Sequence, residues 1–283
     1  MGRTELDAAY DNTAAVADSA AVLASFQARS DCLRTAQAEH LNLAYGPGER
    51  NRIDYFRAPA PGPVLVFIHG GYWQMRAKET FSFVAEGPLA HGIHVALVGY
   101  TLAPETTLGG IVAEIRAALG WVREHAPDFG GDPARIVVAG WSAGGHLAAM
   151  CLDEEGVVGG LAISGIFDLE PISLCYLNEK LHLTQAEIQE LSPLRSPISA
   201  RPLVLAYGER ELPELQRQSE VFAAARDDAP GSLLPLPGHN HFTILTELAH
   251  AHGALTKQVR ALLCACDVGS DRACDLPEKA RMP

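Results

Sequence analysis

Three stretches of the chain carry residues that together could perform acyl transfer. "GWSAGG" (140–145) centres Ser142 in a G-x-S-x-G pattern, "HGGYW" (69–73) offers a glycine-rich backbone, and "PGHNHFTIL" (237–245) brings two histidines one residue apart. A serine hydroxyl is a weak nucleophile at its free pKa, so such chemistry needs a base, an acid to orient that base, and N–H donors for the developing oxyanion. Ser142 is the candidate nucleophile. Gly70 and Gly71, with the N–H of Ala143 just after the serine, are the candidate oxyanion donors, and His69 is expected to brace its own loop. Tyr72, Trp73 and Trp141 flank these positions and are candidate pocket walls, as are Leu174, Tyr176 and Leu177 further on.

The acid must come from the loops after the later strands, with the base behind it in chain order. "VLAYGERELPEL" offers Glu209, Glu211 and Glu214. Glu211 stands a few residues past the glycine and is favoured; Glu209 and the more distant Asp168 are the alternatives. The base is one of His239 and His241. A metal pair is disfavoured, because no third ligand stands beside the two histidines in sequence. No metal or organic cofactor is expected.

A pattern this short is persuasive only if the right elements position it. "RIVVAG" reads as a strand running straight into Ser142, and "AGGHLAAM" as a helix running straight out; a turn that sharp needs glycines where its two arms pass. Around it, short apolar runs alternate with amphipathic ones. Strands are expected at 63–70, 93–100, 134–140, 157–164, 201–208 and 231–237, and helices over 77–92 and from Leu108 to His125. "LNLAYGPGERNRIDYFRA" reads as a hairpin at one sheet edge. This alternation predicts an α/β fold, a mostly parallel sheet with helices on both faces. The expected organisation is an N-terminal helical arm over 1–40, one α/β domain over 41–265 with a small cap insertion at about 168–200, and a polar tail over 266–283.

Composition narrows the partners. The formal net charge is −12, from 22 basic and 34 acidic residues, with no basic run. Nucleic acid and anionic membrane are thereby disfavoured, and so is a nuclease reading of the histidines. The arm is broken by Asp7, Asp11 and Asp18 and reads as helical rather than as a signal peptide. Six cysteines are too thinly spread for a disulfide framework, which points to reduced thiols and a cytoplasmic protein. "CAC" at 264–266 with Cys274 lacks a fourth ligand at zinc-like spacing.

The motifs as a set resemble the α/β-hydrolases related to kynurenine formamidase (arylformamidase), which border the hormone-sensitive-lipase-like esterases. The resemblance runs from "LDAAYDNTAAV" through "AYGPGERNRIDYF", "FIHGGYWQ", "YTLAPE", "FGGDPARIVVAGWSAGGHLAAM", "SGIFDLEPI", "LSPL" and "ELPELQRQS" to "GHNHFTIL". It implies an α/β-hydrolase fold and a serine hydrolase of small, aromatic N-formyl amides, with esters and carbamates as alternatives. Its register puts the acid on Glu211 and the histidine on His241. Relatives often carry His before the serine and Asp as the acid, where this chain has Trp141 and Glu211. The expected partner is a small ester or amide, and a homodimer is compatible with the sequence. A non-catalytic ligand binder of the same fold is disfavoured, since such proteins tend to lose triad members and this chain keeps all three.

Overall fold

The computed structural model describes residues 2–265. Eight strands form one sheet: β1 (Leu43–Ala44), β2 (Arg52–Phe56), β3 (Gly62–Ile68), β4 (His94–Val98), β5 (Gly131–Trp141), β6 (Val157–Ile163), β7 (Leu203–Gly208) and β8 (Gly231–Leu236). Their spatial order is β1-β2-β4-β3-β5-β6-β7-β8. β1 and β2 are antiparallel at one edge, joined through the "YGPGERN" turn, and β3 to β8 run parallel. The expected α/β-hydrolase architecture is present.

Strand side chains alternate between two separate cores, as a pleated sheet covered on both faces requires. In β3, Val64, Val66 and Ile68 pack in one core with Ile111 and Ile115 of helix Leu108–His125 and with Leu147. Leu65 and Phe67 face the other, with Phe26, Phe83, Val259 and Leu263. Every residue of β3 is buried, which is why it reads in sequence as an unbroken apolar run.

One expected element differs. The segment 77–92 is a 3₁₀ stretch, Lys78–Ala85, followed by a single α-turn, Glu86–Leu89. Phe81 to Ala85 are buried consecutively, so no polar face survives, and a Cβ on Gly87 would sit 2.2 Å from the Leu248 carbonyl oxygen. Close backbone contact, rather than amphipathic periodicity, sets the local geometry.

The amino-terminal segment folds as helices Arg3–Ala9, Asn12–Ala15 and Ser19–Ala36. The last is tied to the sheet by a buried charge cluster. Asp54 of β2 pairs with Arg34 and, at 2.8 Å, with Lys78, whose ammonium also donates to Asn42 Oδ1 at 2.8 Å. Buried charges persist only when matched in this way. Between β6 and β7 lie three short helices, Glu170–Ser173, Asn178–Leu181 and Gln185–Leu191. Cys32, Cys151 and Cys175 are free thiols. The expected polar tail over 266–283 lies outside the described residues.

Candidate active site

β5 ends at Trp141 and the next residue turns the chain into helix Ala143–Met150. Ser142 makes that turn at φ 58°, ψ −120°, a left-handed conformation that costs a non-glycine residue energy. The turn is possible because its flanks lack Cβ atoms. A Cβ on Gly140 would lie 2.0 Å from the Gly144 carbonyl oxygen, and one on Gly144 would lie 2.0 Å from that of Ile68. The Ser142 N–H donates to the Ile163 carbonyl at 2.7 Å, locking the elbow to β6. Ala143 is the first residue of its helix, so its N–H has no intrahelical acceptor.

His241 follows β8 and precedes the 3₁₀ turn Thr243–Leu245. Its Nδ1 lies 2.8 Å from Glu211 Oε2, and both side chains are buried. A carboxylate oxygen can only accept, so a neutral imidazole in this pair would donate from Nδ1 and leave Nε2 free to accept. The other Glu211 oxygen accepts from the Ser164 hydroxyl and from the Gly208 N–H, each at 2.6 Å. The alternatives lie elsewhere: Glu209 is exposed, Asp168 pairs with Arg195 at 3.0 Å, and Glu214 accepts from Tyr10 and Arg217. His239 Nε2 lies 3.4 Å from Glu247.

The "HGGYW" loop closes over the elbow. A Cβ on Gly70 would fall 2.7 Å from the Trp141 carbonyl oxygen and 2.9 Å from Ser142 Cβ, so the backbone there approaches the serine as no other residue could. Gly71 has φ 116°, and Tyr72 and Trp73 follow at 50° and 59°. His69 braces this turn: its Nδ1 donates to the Gly70 carbonyl at 2.7 Å, and its ring stacks on Tyr100 at 4.4 Å. Burial holds the imidazole neutral, pushing its pKa down to about 4.

Ser142 and His241 open on one narrow cavity of about 50 Å³, whose walls include Gly71, Tyr72, Trp141, Tyr176 and Phe242. Trp73, expected in this wall, is instead fully buried in the core, edge-on to His146 at 5.0 Å. Trp141 lines the cavity and also braces His241: its indole N–H donates to the His241 carbonyl at 2.7 Å, and its ring lies 4.9 Å from the imidazole. Asp11, Asn12 and Thr13 of the N-terminal arm complete the wall. Asn12 donates to the Tyr72 hydroxyl at 2.7 Å, which donates in turn to the Tyr10 carbonyl at 2.5 Å. Tyr10 bonds Glu214 and Gln218, each at 3.0 Å. Neither the arm's part in the site nor the Ser164 contact follows from sequence reasoning. The cluster "YDN" at 10–12, just after helix Arg3–Ala9, is the available signal for the arm. Among the described residues no group of His, Cys, Asp and Glu could hold a metal ion, and no helix is long and apolar enough to cross a membrane.

Comparison with known proteins identifies relatives of the chain. The BD-FAE family model matches residues 56–156. The kynurenine formamidase of Salmo salar is 32% identical, over 77% of this chain and 79% of its own. Esterase LipQ of Mycobacterium tuberculosis is 28% identical over 74% of this chain and 58% of its own. Among solved structures, a putative thioesterase from Silicibacter sp. TM1040 superposes with a TM-score of 0.81 at 29% identity, covering 92% of this chain and 99% of that one. The extent of the formamidase match, with the strand order and the strained serine elbow, establishes that the chain belongs to the kynurenine formamidase family of α/β-hydrolases.

Proposed function

We propose that the protein is a serine hydrolase that cleaves a small N-formyl amide or carboxylic ester, with aryl formamides as the leading class. The observation that carries this is the buried His241–Glu211 pair, whose histidine lines the same cavity as Ser142, a serine held at φ 58°. His241 Nε2 takes the Ser142 proton as Oγ attacks the substrate carbonyl. Glu211 holds the imidazole tautomer and stabilises the imidazolium, while the N–H groups of Gly70, Gly71 and Ala143 receive the oxyanion. The imidazolium then protonates the departing amine or alcohol, and water repeats the sequence on the acyl-enzyme to release the acid. The unit that carries this chemistry is residues 41–265, with the arm over 1–40 as one wall of its pocket.

The size of the cavity supports a small acyl group. About 50 Å³ is far below the roughly 300–1,000 Å³ typical of pockets that enclose drug-sized ligands. Formyl and acetyl groups suit it better than fatty acyl chains, and the aromatic walls Tyr72, Trp141 and Tyr176 suit an aryl leaving group. The likeness to esterases keeps short-chain ester hydrolysis as the second reading. Comparing kcat/KM on N-formylkynurenine and on short acyl aryl esters decides between them; a preference for esters by several orders of magnitude removes the formamide reading. Ser142→Ala is expected to abolish both activities and leave the fold intact, and retained turnover would overturn the serine mechanism.

A further inference from the structure

The end of β6 links the nucleophile and the acid. Ile163, its last residue, accepts the Ser142 N–H, and Ser164, the next, donates its hydroxyl to Glu211 at 2.6 Å. The strand lies between β5, which leads into the elbow, and β7, which leads into the acid loop. One dipeptide therefore touches both halves of the site.

Ser164 occupies its place at a cost. It is fully buried and held at φ 53°, where glycine would fit without strain, and its N–H donates to the Ala206 carbonyl at 2.7 Å. A non-glycine residue in this region costs of order 1–3 kcal/mol. The observable gain is the hydroxyl's hydrogen bond to the fully buried Glu211 carboxyl group. With the Gly208 N–H on the same oxygen, the bond fills Oε1 and turns Oε2 to the His241 Nδ1 at 2.8 Å. A glutamate side chain has one more torsion than an aspartate to fix before it can orient an imidazole, and two donors on one oxygen fix it.

We infer that Ser164 is a positioning residue of the active site, which acts solely through Glu211 by locking the carboxylate rotamer that aligns His241. This rests on the serine-hydrolase reading above. The test is a double-mutant cycle on p-nitrophenyl acetate, run with Ser164→Ala, Glu211→Ala and the pair, with folding followed by thermal melting. Ser164→Ala is expected to lower kcat about 10- to 30-fold with KM within twofold, a loss of the size of one charge-assisted hydrogen bond. In the Glu211→Ala background it is expected to change kcat by less than twofold. If Ser164→Ala does not fold, Ser164→Gly, which suits the backbone, replaces it in the same cycle. The inference is overturned if the Ser164 variant keeps kcat within twofold of the parent, or loses the same factor in both backgrounds. Activity that survives Ser142→Ala would instead overturn the underlying reading.

Discussion

Trp141→Phe separates the scaffold of His241, the proposed base, from the imidazole itself. The indole is 1% exposed and spends its N–H on the His241 carbonyl at 2.7 Å. Its ring packs between the imidazole at 4.9 Å and Phe81 at 5.4 Å. Phenylalanine keeps an aromatic ring but cannot donate. A buried carbonyl left without a donor costs about 1–3 kcal/mol, and the smaller ring adds about 1 kcal/mol of lost packing. The expected destabilisation is thus about 2–4 kcal/mol, read as a lower urea midpoint with an unchanged m-value. The functional loss has a different origin. The freed loop lets the imidazole drift from Ser142, and a misplacement of about 1 Å costs up to about 100-fold in rate. The expected result on p-nitrophenyl acetate at saturating substrate, well below the melting temperature, is a 10- to 100-fold lower kcat. A folded Trp141→Phe protein with kcat within twofold of the parent would refute the reasoning, since the indole would then be packing and nothing more.

His241→Ala is expected to lower kcat by at least the roughly 10²–10⁴-fold typical of a general acid–base group. His239→Ala, which loses only a half-exposed contact with Glu247 at 3.4 Å, is expected to stay within about threefold, and equal losses would mean that the wrong imidazole is assigned to the base. Acid should destabilise the fold before it titrates the surface carboxylates. His69 and His146 are buried neutral, each pushed down to about 4 by burial, so between about pH 6.5 and 4 the unfolded chain binds protons that the folded one refuses. Stability then falls as the pH is lowered, by up to about 1.4 kcal/mol per unit for each histidine. The check is the urea midpoint across that range, with a shallower slope expected in His146→Gln; a flat parent profile contradicts it.

The backbone turn at Ser142 was legible because part of its cause is local. The elbow follows in part from Gly140, whose Cβ would collide with the Gly144 carbonyl in the same turn, and β3 from an apolar run buried on both faces. The misreadings share a different cause. Trp73 stands in a motif beside Tyr72, but two consecutive left-handed residues turn its ring into the core while Tyr72 stays on the pocket. The segment 77–92 carries apolar residues that would suit a helix, yet the close approach of Leu248 at Gly87 comes from a segment far along the chain. Ser164 looks like any serine after a strand, because nothing in sequence marks a positive φ on a non-glycine residue or a carboxylate arriving from β7. Asp11, Asn12 and Thr13 reach the pocket only because Tyr72, Glu214 and Gln218 hold the arm in place.

The arm's contacts also bear on when the pocket comes into being. Tyr10 meets Glu214 and Gln218 across 204 and 208 residues, and Asp7 caps the Tyr176 N–H across 169. Such pairings close long loops, and loops of that length close late in folding because their entropy must be lost before any contact compensates it. The sheet and the serine elbow depend on much shorter separations. On the ribosome, a chain that has already made its nucleophile turn would still lack one wall of its pocket until helix Pro213–Ala225 had emerged to receive the arm. Refolding should accordingly recover secondary structure ahead of activity, with the interval set by the docking of the arm.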